Sequence, residues 1–371
     1  MSRIKVAIVG AGWVTQNCYL PHLGAESRLE VVTVYDPDEE RARRVADALG
    51  LARPARDFAE CLDASIRGVI ICTPTKTHLP VLLQCLEEEK YILCEKPVVC
   101  DEEGIAALRA MPIAEHRLMG SATTRLRRDV ELLLSWVQSG RIGLVRRIKL
   151  GWWRGMGVPA AETWRIDPLT CPTGVLEDLG PHLLDIAAAL LPVAQASRPH
   201  LSEAVLECRY GTAGRVAEWY GNSLMRPAYE VPDYARAIID FPGGPELELE
   251  ACWVSEDEGD ASRLVFEGTK GTASLEGLFG FSTSRRAAEQ FCTLDVRGRA
   301  TEVVHFTPGP REQLAAFGNS VETFAQFCAG AAPPVAALQE VLTVAFWLAA
   351  IRRNALLSPA NADGLLSFTD A

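Results

Sequence analysis

No stretch of about 18 apolar residues free of charge occurs in the 371-residue chain, and the N-terminus, MSRIKVAIVGAG, enters a strand pattern without the apolar core and cleavage site of a signal peptide. These absences exclude a helical membrane span and lead us to expect a soluble, cytoplasmic protein. There is no C-x-x-C pair. The eleven cysteines are scattered singly from Cys18 to Cys328, so neither a disulfide framework nor a structural zinc site is indicated and no metal is expected. Most of the thiols read as small buried apolar groups in a reducing compartment. Positive charge is scarce: the net charge is −11, which argues against nucleic acid or an anionic membrane as a partner and leaves small molecules and proteins. Internal repeats and low-complexity linkers are missing as well.

What is present is a chain that is 48% apolar and 23% charged. Single cores stop growing near about 250–300 residues, so two domains are expected. From Ile4 to about Gly120, the apolar runs IKVAIVG, LEVVTVYD, GVIICTP, YILCEKP and RLMGS alternate with helix-like stretches. That alternation means βαβ units and a parallel sheet, and the near-continuous Val and Ile of the runs fits a sheet covered on both faces. After Arg125 the texture changes to a helical DVELLLSWVQSGRIG, the run LVRRIKLGWWRG, an irregular stretch rich in Pro, Gly and Trp, and a helix at LGPHLLDIAAALL. Strand patterns such as ARAIIDF, ELELEACWV and RLVFEG follow, then two helical runs, SVETFAQFCAG and ALQEVLTVAFWLAAIRRNAL. The expected fold is therefore α/β, with an N-terminal domain over residues 1–124 and a C-terminal α+β domain over 125–371 built on a large, mainly antiparallel open sheet.

The first run ends in GAGWVTQ. Gly10 suits a tight turn, and Gly12 lets the backbone approach a pyrophosphate at the start of the following helix, beside Trp13 and Val14. This is a dinucleotide fingerprint, a Rossmann turn, with Thr15 in the third glycine position. Asp36 closes the second run 21 residues after Thr15, where an acid can hydrogen-bond the adenosine ribose. It also suits a helix N-cap, because DPDEERA is a good helix start with Pro37 at the first turn. The acids that follow Asp36 favour NAD over NADP, whose 2′-phosphate needs an arginine; Arg41, Arg43 and Arg44 start five residues on. CTPTKTH, residues 72–78, ends a fourth strand and sets Thr73, Pro74 and Thr75 at the carboxyl edge of the sheet, with His78 as a packing residue rather than a catalyst.

CEKP, residues 94–97, ends a fifth strand and brings Glu95 and Lys96 to the same edge, about where a nicotinamide ring belongs, with Lys96 held extended by the proline after it. Further on, Asp178, His182 and Asp185 are spaced four and three apart, which places them on one helix face. An imidazole with an ordinary pKa near about 6.5 and a carboxylate one turn away is a candidate proton acceptor. Trp152, Trp153, Arg154 and Trp164 lie in the irregular stretch before this helix, and aromatic faces suit the C–H surfaces of sugars. The acidic SEDEGD, residues 255–260, reads either as a solvated loop or as a source of carboxylates for an amine-bearing substrate.

These segments, with FEGTKGTASLEG, resemble the Gfo/Idh/MocA family, the glucose–fructose oxidoreductase and inositol dehydrogenase type, across nearly the whole chain. The combination of E-K-P with D-x-G-x-H-x-x-D carries the resemblance. It implies an NAD(P)-dependent oxidoreductase in which Lys96 contacts substrate and cofactor, Asp178 binds substrate and His182 is the general acid/base. The substrate is expected to be a sugar, aminosugar or cyclitol with a secondary hydroxyl, contacted by Lys96, Trp153, Arg154, Trp164, Asp178 and His182. Asp178→Asn is the mildest of the three catalytic substitutions on this view. Thr73, Pro74, Thr75, His78, Glu95 and Lys96 complete the cofactor site. A homodimer or homotetramer through the C-terminal sheet also follows from the resemblance. The chain departs from the family at Thr15 and at CPTG, residues 171–174, where a glycine run usually precedes the aspartate. An NAD-dependent glycosidase and a non-catalytic NAD(P)-binding regulator on the same scaffold are the alternatives.

Overall fold

The computed structural model describes residues 3–51, 53–155, 157–159, 163–191, 199–210, 229–332 and 335–357. The chain forms two compact units. Of the described residues, one unit comprises those up to Leu126 together with those of Leu314–Ala345, the other those of Arg127–Gln313 together with Phe346–Leu357.

The first unit is built on five parallel strands, β1 (Ile4–Val9), β2 (Leu29–Tyr35), β3 (Gly68–Ile71), β4 (Tyr91–Cys94) and β5 (Leu118–Gly120), in the order β2-β1-β3-β4-β5. Their inner residues, among them Val6, Ile8, Ile70, Ile71, Leu93 and Cys94, are fully buried, as the Val- and Ile-rich runs require of a sheet covered on both faces. CTPTKTH and CEKP therefore follow the third and fourth strands, not the fourth and fifth. Strand order reverses between β1 and β3, and such sheets bind ligands at the carboxyl ends of the strands flanking that reversal. The crossover helices are α1 (Glu39–Ala48), α2 (His78–Glu87), α3 (Glu102–Arg109) and the single turn α4 (Ala114–Arg117). Helix α1 starts where Asp38 accepts the Glu40 and Arg41 N–H groups, both at 3.1 Å, and buries Ala42, Val45 and Ala46. Asp38 rather than Asp36 is thus the N-cap, and Pro37 precedes the helix.

From sequence, every residue after 124 belongs to the C-terminal domain, whereas the stretch Leu314–Ala345 packs with the first unit. Its contacts explain the return. Tyr91 and Phe327 meet edge-on with ring centres 5.0 Å apart, Met119 forms an isolated bridge with Ala337, and the Gly120 N–H donates to the Ala336 carbonyl at 3.0 Å.

The second unit carries an eight-stranded sheet made of β6 (Val145–Trp153), β7 (His200–Glu207), β8 (Tyr234–Asp240), β9 (Glu246–Cys252), β10 (Ala261–Gly268), β11 (Gly271–Gly277), β12 (Gln290–Val296) and β13 (Glu302–Phe306). The order is β13-β12-β11-β10-β6-β9-β8-β7, antiparallel throughout except where β6 runs parallel to β9. Alternation along β6 buries Ile148, Leu150 and Trp152 on one face, and Leu150 lies in register with Leu264 and Leu249. Helix α5 (Arg128–Gln138) packs on β11 and β12, and α6 (Val175–Ala188) on β6, β8 and β9. Removing a side chain such as Leu249 to Ala costs about 2–5 kcal/mol in a core of this kind. Two helices end the described chain, α7 (Pro310–Cys328) and α8 (Leu338–Leu357), matching the two helical runs read from sequence.

All the cysteines are free thiols, and all but Cys72, Cys100 and Cys208 are buried. Burial pushes Cys61, Cys252 and Cys328 up to about 12, which keeps them protonated and unreactive.

Candidate active site

The glycine turn follows directly from β1. Gly10 sits at φ +96°, and a Cβ there would meet the Cys72 carbonyl carbon and oxygen at 2.7 Å, so only glycine lets the loops after β1 and β3 approach this closely. Gly12 has nothing within 4 Å of where its Cβ would stand. No protein atom demands glycine at that position, and the space suits a ligand backbone. Beyond it, Trp13 and Val14 are half-buried and lead into a short wide turn, Thr15–Tyr19. Thr15, the departure from three glycines, is fully buried and donates its hydroxyl to the Gly10 carbonyl at 2.6 Å, so its polar atom is satisfied and the turn is braced from within. The Asp36 carboxylate accepts the Ala11 N–H at 2.7 Å and the Asp38 N–H at 2.9 Å. It therefore stands against the glycine turn, with carboxylate lone pairs to spare for a ribose.

Among the described residues, two hydroxyls that follow β3 find no partner. Thr73 Oγ1 and Thr75 Oγ1 are buried without a hydrogen bond, each at a cost of about 1–3 kcal/mol unless something fills the site. A dinucleotide, rich in hydroxyl and phosphate oxygens, is the kind of group that satisfies them. The residues present thus fit the cofactor: the open Gly12, the Asp36 carboxylate and these two hydroxyls would hold it. His78, which opens α2, is buried and spans two loops: its Nε2 lies 2.8 Å from the Thr73 carbonyl oxygen and its Nδ1 2.9 Å from that of Pro97.

Glu95 is buried and takes hydrogen bonds from the protein itself. Tyr19 and Ser121 both donate hydroxyls to its Oε1 at 2.8 Å, and the Lys96 N–H donates to its Oε2 at 3.2 Å. Burial, with the Glu95 charge beside it, pushes the Tyr19 phenol well above its ordinary pKa, so it stays a donor. The carboxylate thereby locks the turn that carries Lys96, and Lys96 itself is half-buried. The Lys96–Pro97 bond is cis. Tyr19 and Ser121 were not legible as members of this network, because they are 76 and 26 residues from Glu95.

In the second unit, CPTG builds the start of α6. Gly174 is the N-cap at φ +49°, where a Cβ would collide with the Pro232 carbonyl oxygen at 2.2 Å, and the Thr173 hydroxyl donates to Glu177 at 2.6 Å. Burial pushes the Glu177 carboxyl up. Helix α6 then presents Asp178, His182 and Asp185 at the expected spacing, Asp178 buried and the other two half-buried. Pro181 lies inside the helix, so the backbone bond that would return to Glu177 is missing one residue before His182.

Asp178 is the centre of a polar cluster that its helix spacing does not reveal. Its Oδ1 accepts from Arg165 Nε at 3.1 Å, and its Oδ2 from the Trp253 indole N–H at 3.1 Å and from Arg154 Nη1 at 3.4 Å. Arg154 is itself buried and also donates to the Gly157 carbonyl at 3.1 Å. Arg165 lies over the Trp164 ring, 4.7 Å from its centre, so Trp164 backs the arginine that holds Asp178. Neither Arg165 nor Trp253 is expected from sequence: Trp253, just after β9, reads as strand core, and the only local sign of Arg165 is its place beside Trp164.

The tryptophans of β6 divide between the two faces. The Trp152 ring lies 5.6 Å from the His182 ring, tilted by 54°, with the Arg154 guanidinium 5.4 Å away over its face. Trp153 stands on the opposite face with its ring over Gly151, where a Cβ would meet it at 1.8 Å. Of the pair, Trp152 and not Trp153 is the neighbour of His182. The acidic loop is partly used by the protein itself. Asp260 is buried and accepts the Gly155 N–H at 2.8 Å, and Asp257 pairs with Arg286 at 2.9 Å.

Two family models match the chain: an oxidoreductase family, NAD-binding Rossmann fold, over residues 4–119, and the GFO/IDH/MocA C-terminal domain over 130–274. Among curated relatives, a putative UDP-kanosamine synthase oxidoreductase subunit of Amycolatopsis mediterranei is 31% identical over 84% of this chain and 84% of its own. The D-glucoside 3-dehydrogenase of Escherichia coli is 27% identical over 74% of this chain and 77% of its own. Among solved structures, an inositol dehydrogenase homologue from Azotobacter vinelandii with bound NAD+ superposes with a TM-score of 0.73 at 19% identity, covering 95% of each chain.

Proposed function

Because the chain belongs to the Gfo/Idh/MocA oxidoreductases, we propose that it is an NAD-dependent dehydrogenase for a secondary hydroxyl of a sugar, aminosugar or cyclitol, or a reductase of the matching ketone. The observation that carries the reading is the joint presence of Lys96 on a turn locked by buried Glu95 and of His182 on α6, each in a segment matched by its family model. The name D-glucoside 3-dehydrogenase makes the C3 hydroxyl of a glucoside the first substrate to try, and the name of the other relative adds nucleotide-linked aminosugars.

NAD when bound supplies the hydride acceptor. His182 takes the proton of the substrate hydroxyl, and the Lys96 ammonium stabilises the developing alkoxide. Asp178, through Arg154, Arg165 and Trp253, anchors the first turn of α6, one turn before His182. NAD is preferred to NADP because Asp36 stands at the glycine turn, while Arg41 and Arg44 are paired with Asp38 and Glu40. A homodimer or homotetramer through the C-terminal sheet belongs to the same reading.

The test is steady reduction of NAD, followed by the absorbance of the reduced nicotinamide, with hexosides, nucleotide-linked hexoses, aminosugars and cyclitols offered in turn. Turnover by one of these classes supports the reading. Release of an aglycone without net reduction would assign a glycosidase instead. Cofactor binding with no turnover of any class would leave a regulator.

A further inference from the structure

Three contacts define the surroundings of the His78 ring. Nε2 lies 2.8 Å from the Thr73 carbonyl oxygen, and Nδ1 lies 2.9 Å from the Pro97 and 3.3 Å from the Val98 carbonyl oxygens. The residue is 1% exposed, so water does not mediate these contacts. Carbonyl oxygens only accept, and a neutral imidazole carries a single N–H. With acceptors at both ends of the ring, both contacts are hydrogen bonds only when the ring holds two protons. A neutral ring sets a nitrogen lone pair against one of the two carbonyls.

The two carbonyls belong to the loops that matter for cofactor. Thr73 heads the loop whose hydroxyls, on Thr73 and Thr75, lack partners, and Pro97 directly follows Lys96. We propose that His78 is a positioning residue of the cofactor site, an imidazolium clasp that ties the Thr73 loop to the Lys96–Pro97 turn and lets go of one of them when the ring is neutral.

Burial opposes the charged ring and lowers its pKa, while the carbonyls of Thr73, Pro97 and Val98 and the nearby carboxylate of Glu95 pull the other way. The sign follows. A base whose pKa is lowered by folding makes the free protein less stable as pH falls below about 6.5. Cofactor binding that requires the doubly bonded clasp strengthens over the same range.

The inference rests on the cofactor reading of this sheet edge. Its test is NADH affinity by calorimetry on the full chain between about pH 8 and about pH 5.5, in wild type, His78→Gln and His78→Asn. Neither amide titrates. Wild type should bind at least about 30-fold more tightly at the acid end, the change in the doubly protonated fraction for a ring whose pKa lies at or below about 6.5, and the amide variants should show a flat profile with affinity no better than wild type at neutral pH. Should one variant not fold, the other serves. Nitrogen-15 spectra of the six histidines give an independent readout: the His78 signals, missing in the variants, should move from one N–H to two as pH falls. A slope retained in His78→Gln or His78→Asn, or a wild-type ring that keeps a single N–H throughout, overturns the clasp. Failure of NADH to bind at any pH would instead refute the cofactor reading.

Discussion

Asp178→Asn separates two roles that the helix spacing alone confuses. If the carboxylate serves chiefly to orient the imidazole one turn away, an amide is a mild replacement. The structure gives it another task. Arg154, Arg165 and the Trp253 indole all donate to it, and the side-chain exposures are 8% for Asp178, 7% for Arg154 and 15% for Arg165. An amide offers one acceptor oxygen, turns its own N–H groups toward a donor and takes a carboxylate charge away from two guanidiniums. Breaking a buried ion pair by removing one partner costs about 3–5 kcal/mol. At roughly 2–4 °C per kcal/mol for a domain of this size, the melting temperature of the cofactor-free protein should fall by roughly 6–20 °C. Trp253→Phe removes one donor and keeps the charges, and should cost nearer 1 kcal/mol for the lost hydrogen bond, plus any packing loss. The assay is thermal and urea unfolding, with turnover of the folded fraction measured beside it. Wild-type unfolding with turnover reduced about a hundredfold would refute the structural role and return Asp178 to the substrate.

Three further outcomes follow from the site. His182→Ala should lower kcat by roughly 10²–10⁴-fold with NADH affinity unchanged by calorimetry, whereas Lys96→Ala should lower turnover comparably and weaken cofactor binding; near-wild-type kcat in His182→Ala would remove the histidine from proton transfer. The ratio of kcat/KM for NAD to that for NADP should exceed one, and Asp36→Ala should lower it; a ratio at or below one in the wild type contradicts the role given to Asp36. Thr75→Val replaces an unsatisfied buried hydroxyl with a methyl of the same shape, so the free protein should unfold at the same temperature or a higher one while NADH binding weakens; a lower melting temperature with unchanged NADH affinity would mean that the hydroxyl serves the fold.

The sequence by itself determined the five strands of the first sheet, the glycine turn, the carboxyl-edge residues and the helix carrying Asp178, His182 and Asp185. Each is written in a local period or a short motif, and backbone sterics act over the same few residues. Only the tertiary structure decided what these groups are bonded to. The partners of Asp178 come from the residue after β6, from the turn before α6 and from the residue after β9. Glu95 is bonded by side chains from two distant segments, Tyr19 and Ser121, and α7 returns to pack with the first unit through Tyr91 and Phe327. Alternation along β6 says that Trp152 and Trp153 face opposite ways. Which of them meets His182 depends on the face that α6 covers, and that is settled by burial of apolar area over the whole sheet.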